Sequence, residues 1–341
     1  MNEKFLITGA TGFLGRAVVA ELGKTGSRIR ALVLESDPLV GTLPRDVEVF
    51  RGDVCDDESL ERFFAETGSD TVVIHCAGIV SIASRPGEGL YRVNVGGTNN
   101  LLRHCEARRV RKLVYVSSVH AIPEKPKGET MDEEAVFSPY KVRGAYAKSK
   151  AIATALVFEA AKRGLNASVV YPSGIIGPGD IGEGSITKML VSFLAGRMPF
   201  AVKGGYDFAD VRDVAAGIAA CAERGEAGKG YILSGHYASI RDILRLTRAE
   251  AGIRRAPLCL PLCLAQLAAP LAERRNLRKK RPLYFTPYSV AVLGSNGSFD
   301  RNAAAARFGY APRPLQISIR DTVLWIREHA LPRKIPAAGA N

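Results

Sequence analysis

Tyr146 and Lys150 lie four residues apart in Tyr146-Ala147-Lys148-Ser149-Lys150, and the chain begins with a glycine-rich stretch, Thr8-Gly9-Ala10-Thr11-Gly12-Phe13-Leu14-Gly15. Residues four apart on a helix share one face. An ammonium beside a phenol on that face favours the phenolate, lowering a pKa that is about 10 in water. Such a phenol can exchange a proton with a substrate oxygen, and the hydroxyl of Ser118, between the two motifs, is of the right type to hydrogen-bond that oxygen. A tyrosine–lysine pair alone is a common helix-surface feature. Together with the glycine stretch and Ser118, in this order, it specifies proton transfer beside a bound dinucleotide, which is what hydride chemistry requires.

The glycines indicate where the dinucleotide would sit. Gly9, Gly12 and Gly15 follow GxxGxxG spacing between a strand-like run and a helix-like one. Small residues let the backbone approach a pyrophosphate, whose charge is favoured at the helix N-terminus near Phe13. Asp53, in Arg51-Gly52-Asp53-Val54, is either an acceptor for an adenine amino group or a turn aspartate before a helix. Ribose recognition depends on the end of the second strand, where a carboxylate selects NAD and an arginine NADP. Here Val33-Leu34-Glu35-Ser36 places neither at the usual position. Glu35 would repel a 2′-phosphate, so the lean is to NAD over NADP.

These groups need elements to hold them. The first 235 residues alternate β-branched runs with helical segments. Strands are expected at Phe5–Thr8, Arg28–Leu34, Val47–Arg51, Thr71–His75, Lys112–Ser117, Ala167–Tyr171 and Gly230–Leu233. Helices are expected at Phe13–Lys24, Ser59–Thr67, Val95–Arg108 and Tyr146–Arg163. That alternation predicts right-handed βαβ crossovers and an α/β fold, a Rossmann-type doubly wound parallel sheet with ligands at the strands' carboxyl ends. The glycine turn, Asp53, His75-Cys76-Ala77-Gly78 and Ser117-Ser118 each close an expected strand. Ser117 should point away from the site, because neighbouring strand residues face opposite sides. After Pro172 comes a Gly/Pro-rich loop (Gly174 to Gly184), a short helix at Ile186–Ala195 and a turn at Gly204–Val211. The reading assigns 1–171 with 205–238 to a dinucleotide-binding domain and 172–204 with 239–331 to a smaller, helix-rich substrate lobe. Residues 332–341, rich in Pro and Ala, are expected to be disordered.

Bulk properties bound the rest. The chain has 341 residues, enough for this architecture. The first strand starts almost at Met1, and no apolar run reaches the roughly 20 residues of a membrane span, so a cytoplasmic protein is expected. Six cysteines without CxxC spacing read as reduced thiols, with no metal site. The net charge of +13 is concentrated: residues 241–341 carry 18 Lys/Arg against 6 Asp/Glu. Leu258–Leu271 is strongly apolar and runs into Glu273-Arg274-Arg275-Asn276-Leu277-Arg278-Lys279-Lys280-Arg281. Three readings stand: a buried helix followed by a solvated basic loop, a peripheral membrane contact through 258–281, or arginines gripping an anionic substrate. The cluster lacks interleaved aromatics, so nucleic acid is not expected as a partner.

Taken together, TGATGFLG (8–15), GDV (52–54), HCAG (75–78), NVGGTNN (94–100), YVSS (115–118), YAKSK (146–150), YPSGIIGPGD (171–180) and DFADVRDVA (207–215) resemble the extended short-chain dehydrogenases/reductases of the NAD-dependent epimerase/dehydratase superfamily. The branch most similar contains dihydroflavonol 4-reductases and 3β-hydroxysteroid dehydrogenases. The resemblance implies catalytic roles for Ser118, Tyr146 and Lys150, with Asn94 supporting them. It implies cofactor contacts from Gly9, Thr11, Gly12, Phe13, Leu14, Gly15, Leu34, Glu35, Asp53, Val54, Cys76, Ala77, Gly78, Tyr146, Lys150 and Pro172. Tyr171 departs from the arginine many relatives carry there. Gly174 replaces the asparagine typical of nucleotide-sugar epimerases, and Ser118-Val119-His120 lacks the acid pair of dehydratases. With Ile79, Val80 and Ile175 nearby, these departures favour a hydrophobic substrate whose secondary alcohol and ketone are interconverted. The alternatives are a nucleotide-sugar epimerase with retained NAD and a non-catalytic dinucleotide-binding protein. A homodimer is expected through Val95–Arg108 and Ala147–Arg163, with Leu101, Leu102, Ile152, Leu156 and Val157 at the interface.

Overall fold

Runs of Val, Ile and Leu buried on both faces form the strands of a central sheet, as a sheet covered by helices on both sides requires. The computed structural model describes residues 3–85, 87–133, 137–182, 184–254, 256–279 and 285–329. In chain order the strands are β1 (Lys4–Thr8), β2 (Arg28–Val33), β3 (Glu48–Arg51), β4 (Thr71–His75), β5 (Lys112–Val116), β6 (Ala167–Pro172), β7 (Gly174–Ile176), β8 (Phe200–Val202), β9 (Gly205–Asp210), β10 (Gly230–Leu233), β11 (His236–Ser239) and β12 (Leu258–Leu260). The helices are α1 (Phe13–Gly23), α2 (Asp57–Phe63), α3 (Thr98–Ala107), α4 (Ala145–Lys162), α5 (Ser185–Leu194), α6 (Val211–Arg224), α7 (Ile240–Ala251), α8 (Leu262–Arg278), α9 (Pro287–Leu293), α10 (Asn302–Phe308) and α11 (Leu315–His329).

Seven parallel strands form the main sheet in the order β10-β6-β5-β4-β1-β2-β3, the Rossmann-type arrangement expected from the sequence. Side chains alternate across it: Leu6 enters one core layer, and Phe5 and Ile7 enter the other. The chain adds strands outward from β1 in both directions, so the order reverses between β1 and β4. A crevice opens at that switch point, beyond the carboxyl ends of the strands. Thr8 and His75 are register partners there, which brings the glycine turn after β1 beside Cys76-Ala77-Gly78 after β4.

Some boundaries differ from the sequence expectation for visible reasons. Helix α2 starts at Asp57 rather than Ser59, because the Asp56 carboxylate caps it by accepting from the Glu58 and Ser59 amides. The expected helix from Val95 is instead a π-helical turn (Arg92–Gly97) running into α3. The expected turn at Gly204–Val211 is largely strand β9, paired between β7 and β11. Its aspartates disguised it. Asp207 is buried and accepts a hydrogen bond from the Gly235 amide, so a polar residue sits at an interior strand position. Helix α10 packs on α6 and β10, with Phe308 against Tyr231 at 4.5 Å between ring centroids. Of the side chains expected at a dimer interface, Leu101, Leu102 and Val157 are instead buried in the chain's own core. Their apolar periodicity reflects α3 and α4 packing within one chain, and only Ile152 and Leu156 stay partly exposed. The tail from residue 332 lies outside the described residues.

The C-terminal helices are tied to the sheet by charge. The buried Asp210 carboxylate caps α6 through the Arg212 amide and accepts from Arg212 Nε and Nη2 at 2.8 Å each. Arg212 also reaches Asp321 on α11 at 2.8 Å, and Arg313 pairs with Asp213 at 2.7 Å. Burial would raise the Asp210 pKa, but hydrogen bonds from Arg212 and Ser318 outweigh it and hold it below the usual range. Its contribution is therefore complete above the ordinary carboxylate pKa of about 3.9 and is lost as pH falls through the lower folded value. Asp210→Asn should cost about 3 kcal/mol at neutral pH, the lower end for breaking a buried pair. It should also flatten the fall in stability below about pH 4. Urea denaturation across pH checks both, and an unchanged midpoint would contradict the assignment.

Candidate active site

Gly9 follows β1 with φ +70°, and a Cβ there would lie 2.6 Å from the Ala77 amide nitrogen. A Cβ on Gly15 would overlap the Gly9 carbonyl. The turn therefore packs bare backbone against bare backbone, leaving the crevice floor without side chains. Gly12 begins α1 with no side-chain cap, so the first-turn N–H groups at Phe13, Leu14 and Gly15 remain for a ligand anion. These features fit a dinucleotide pyrophosphate.

The adenosine end differs from expectation. Leu34 and Glu35 are exposed, and Glu35 contributes only its carbonyl, to Arg51 Nη1 at 2.6 Å. It is Asp37, which the sequence reading missed, that reaches the glycine turn: Oδ2 accepts from the Thr11 hydroxyl and Oδ1 from the Leu39 amide. Its place before Pro38, in an aspartate turn four residues past the end of β2, was the available signal. Arg16 spans the same region, donating to the Thr11 carbonyl and to the Gly179 carbonyl at 2.5 Å. Asp53, two residues past β3, is partly exposed, and its Oδ1 accepts from the Cys55 amide at 2.9 Å. Val54 is buried against Gly97, and Pro172 closes β6 opposite Leu233.

The candidate reacting groups come from three elements. Tyr146 and Lys150 are both buried on the inner face of α4, Ser118 follows β5, and Asn94 lies in the π-helical turn. Lys150 and Asn94 meet beside Gly78, where a Cβ would sit 3.4 Å from Lys150 Nζ and 3.3 Å from Asn94 Oδ1, and Ser118 hydrogen-bonds the Tyr146 phenol. Asn94 is fully engaged: Oδ1 accepts from the Ile79 amide at 2.7 Å, and Nδ2 donates to the Ile79 carbonyl and to Ser149 Oγ at 3.0 Å each. It thereby joins the loop after β4 to α4. Ser117 bonds Thr154 at 2.7 Å, one turn along α4 from Lys150, so it faces the same helix as Ser118 and the expected alternation does not hold past the end of β5 at Val116.

Electrostatics correct one expectation. Lys150 Nζ donates to the Val116 carbonyl at 2.8 Å and approaches Tyr115 Oη at 3.5 Å, rather than leaning on the Tyr146 phenol. Burial lowers the Lys150 pKa to about 8. Burial also pushes the Tyr146 phenol up to about 12, against an opposing hydrogen bond with Ser118. The protein alone thus favours the protonated phenol, because desolvation outweighs a cation that is turned aside.

A second constellation faces this group. His120 bonds Tyr206 Oη at 3.2 Å and Tyr288 Oη at 3.3 Å, stacks on the Tyr206 ring at 5.4 Å, and meets the Tyr146 ring edge-on at 6.0 Å. Burial depresses its pKa to about 4, so the imidazole is neutral near pH 7. Tyr206 and Tyr288 arrive from β9 and α9, too far along the chain for spacing to reveal.

A parallel sheet with a bare-backbone crevice and a buried Ser–Tyr–Lys group at its switch point defines a dinucleotide-dependent oxidoreductase class. The chain belongs to the NAD-dependent epimerase/dehydratase family, whose model matches residues 5–234. It is 31% identical to sterol demethylase protein B of Methylococcus capsulatus, over 96% of this chain and 99% of that one. It is 27% identical to 3beta-hydroxysteroid-dehydrogenase/decarboxylase isoform 1 of Arabidopsis thaliana, over 93% and 78%. Among solved structures it is similar to gox2253, with TM-score 0.83, 30% identity, and 96% and 99% coverage.

If Asp37 rather than Glu35 faces the adenosine ribose, Asp37→Asn should shift relative affinity toward NADPH, whereas Glu35→Ala should leave the ratio unchanged. Calorimetry with both cofactors checks this, and the reverse pattern would return the role to Glu35.

Proposed function

We propose that the protein catalyses NAD-dependent interconversion of a secondary alcohol and a ketone on a hydrophobic small molecule. The observation supporting this reading is a buried group in which Ser118 hydrogen-bonds the Tyr146 phenol and Lys150, one turn further along α4, reaches Gly78 after β4. A dinucleotide held by the glycine turn would supply or accept the hydride. In reduction, Tyr146 gives its proton to the substrate oxygen while Ser118 donates a hydrogen bond to it. Lys150, fixed by the Val116 carbonyl, keeps its positive charge beside Gly78, on the side where a ribose would lie. Asn94 acts as a positioning residue that holds the Ile79 backbone and α4 together.

Substrate class rests on the walls. A side chain at Gly174 would meet the Asp207 carbonyl at 2.9 Å and the Tyr206 and Phe208 rings at 3.1 Å. No asparagine fits where epimerases carry one, and Tyr206 takes that volume. Ile79 and Val80 are exposed on the loop after β4. The relatives' names specify a sterol and a 3β-hydroxysteroid, in keeping with a flat, apolar substrate. NAD is favoured over NADP because Asp37 presents a carboxylate to the glycine turn.

Tyr146→Phe should lower turnover by at least about 10²-fold while leaving cofactor affinity nearly unchanged. Retention of more than about a tenth of the rate would remove the phenol from the mechanism. Screening ketones with NADH and following absorbance also separates this reading from an epimerase, which shows no net cofactor conversion.

The raised phenol pKa gives the two directions opposite pH profiles. Reduction uses the protonated form and should hold steady through neutral pH, whereas oxidation needs phenolate and should accelerate as pH rises. Initial rates in both directions across pH test this, and parallel profiles would exclude Tyr146 as the titrating group.

A further inference from the structure

Helix α8 carries an exposed stripe that changes character along its length. Leu264, Leu267 and Leu271 are 52%, 78% and 74% exposed, and their i, i+3, i+7 spacing puts them on one face. Arg274, Arg275 and Arg278, all exposed, continue the same stripe at i+10, i+11 and i+14. The opposite face is buried through Ala265, Ala269 and Glu273, with Ala265 and Ala269 packed with Val290 of α9. Two further exposed apolar residues, Leu258 and Phe200, are register partners in the small sheet leading into the helix. No helix among the described residues is long and apolar enough to cross a membrane. The apolar half and basic half of one face instead match the boundary between acyl chains and anionic headgroups. Lys280 and Arg281 of the basic run lie outside the described residues.

We infer that α8 is a peripheral docking helix for an anionic lipid bilayer, with Leu264, Leu267 and Leu271 entering the acyl boundary and Arg274, Arg275 and Arg278 resting on headgroup phosphates. The charge argument selects this occupant over a second copy of the chain, since residues 241–341 carry 18 Lys/Arg against 6 Asp/Glu and two such stripes would repel. Docking there also has a consequence for the site. Glu273, on the buried face of α8, accepts from the Ser84 amide at 2.8 Å and from Ser84 Oγ at 2.6 Å. Thr286, capping α9, donates to the Ile82 carbonyl at 2.6 Å. Both contacts hold the loop after β4 that carries Ile79 and Val80. A bilayer under α8 therefore lies beside one wall of the candidate active site, a route by which a water-insoluble substrate can arrive. Only this delivery role rests on the proposed reaction.

The test is flotation of the purified chain with vesicles of phosphatidylcholine alone and of phosphatidylcholine containing one part in three phosphatidylglycerol. Wild type should float with the anionic vesicles and lose binding as salt is added, since exposed charges are screened over about 8 Å at physiological ionic strength. Replacing the three leucines (Leu264→Ser, Leu267→Ser, Leu271→Ser) should leave the protein unbound, whereas Leu324→Ser, another exposed leucine, should bind as wild type. Arg274→Glu, Arg275→Glu and Arg278→Glu together should weaken anionic binding on the order of hundredfold, from roughly fivefold per residue. Unaltered circular dichroism shows that each variant is folded. Wild type that fails to float overturns the inference, as does a leucine variant that floats normally. So does a sedimentation dimer that these substitutions dissolve without any vesicle binding. Flotation needs no turnover, so its failure is distinguishable from failure of the redox reading.

Discussion

The close approach of two bare backbone segments, Gly9 against Ala77, is the constraint on which the site depends. Strands β1 and β4 are register partners at the point where the sheet order reverses, and only a residue without Cβ lets their exits lie this near. That contact fixes the glycine turn and orients α1 into the crevice. It also sets the path of the chain through Cys76 and Gly78. Gly78 in turn leaves room for Lys150 Nζ and Asn94 Oδ1. The glycine turn and the Lys150–Asn94 contact are therefore two sides of one junction, the segment Cys76 to Gly78.

Burial works against two of the groups it gathers. It drives Tyr146 toward the neutral phenol and Lys150 toward the neutral amine, while a phenolate–ammonium pair would need both shifted the opposite way. The protein compensates only in part, through Ser118 at the phenol and the Val116 carbonyl at the ammonium. An apolar enclosure of this sort suits proton donation to a ketone, because the donor arrives protonated and water is scarce around it. His120 adds a neutral, hydrogen-bonded wall instead of another charge. A charged imidazole there would face Tyr146 across an apolar pocket at a large desolvation cost.

The sheet was readable from the sequence because its strands are continuous aliphatic runs, a signal that survives without tertiary information. The glycine turn and the Tyr146–Lys150 pair were readable for a related reason: both are local, with spacing set by one turn or one helical repeat. What stayed hidden was built from distant segments. Asp37 reaches Thr11 only because the loop after β2 folds back, and Tyr206 and Tyr288 meet His120 across 86 and 168 residues. Strand β9 escaped because Asp207 is satisfied by a backbone amide from Gly235, a partner that periodicity cannot supply. The direction of the Tyr146 shift was misread for the same reason, since helical spacing gives proximity but not where an ammonium points.

The wall of the candidate site is less local still. One short loop, from Gly78 to Ser84, is gripped at its start by Asn94 and at its end by Glu273 and Thr286. Its first contacts belong to the element that bonds α4 near Tyr146, and its last belong to the helices that follow residue 261. The loop held by α8 therefore begins two hydrogen bonds from Ser149 and three from the Tyr146 carbonyl. Glu273 is a buried carboxylate whose two oxygens are both satisfied by Ser84, so the joint is specific, and leaving that charge unpaired would be costly. The loop after β4 is thus the shared part through which α8 and α9 are joined by hydrogen bonds to Asn94 and α4.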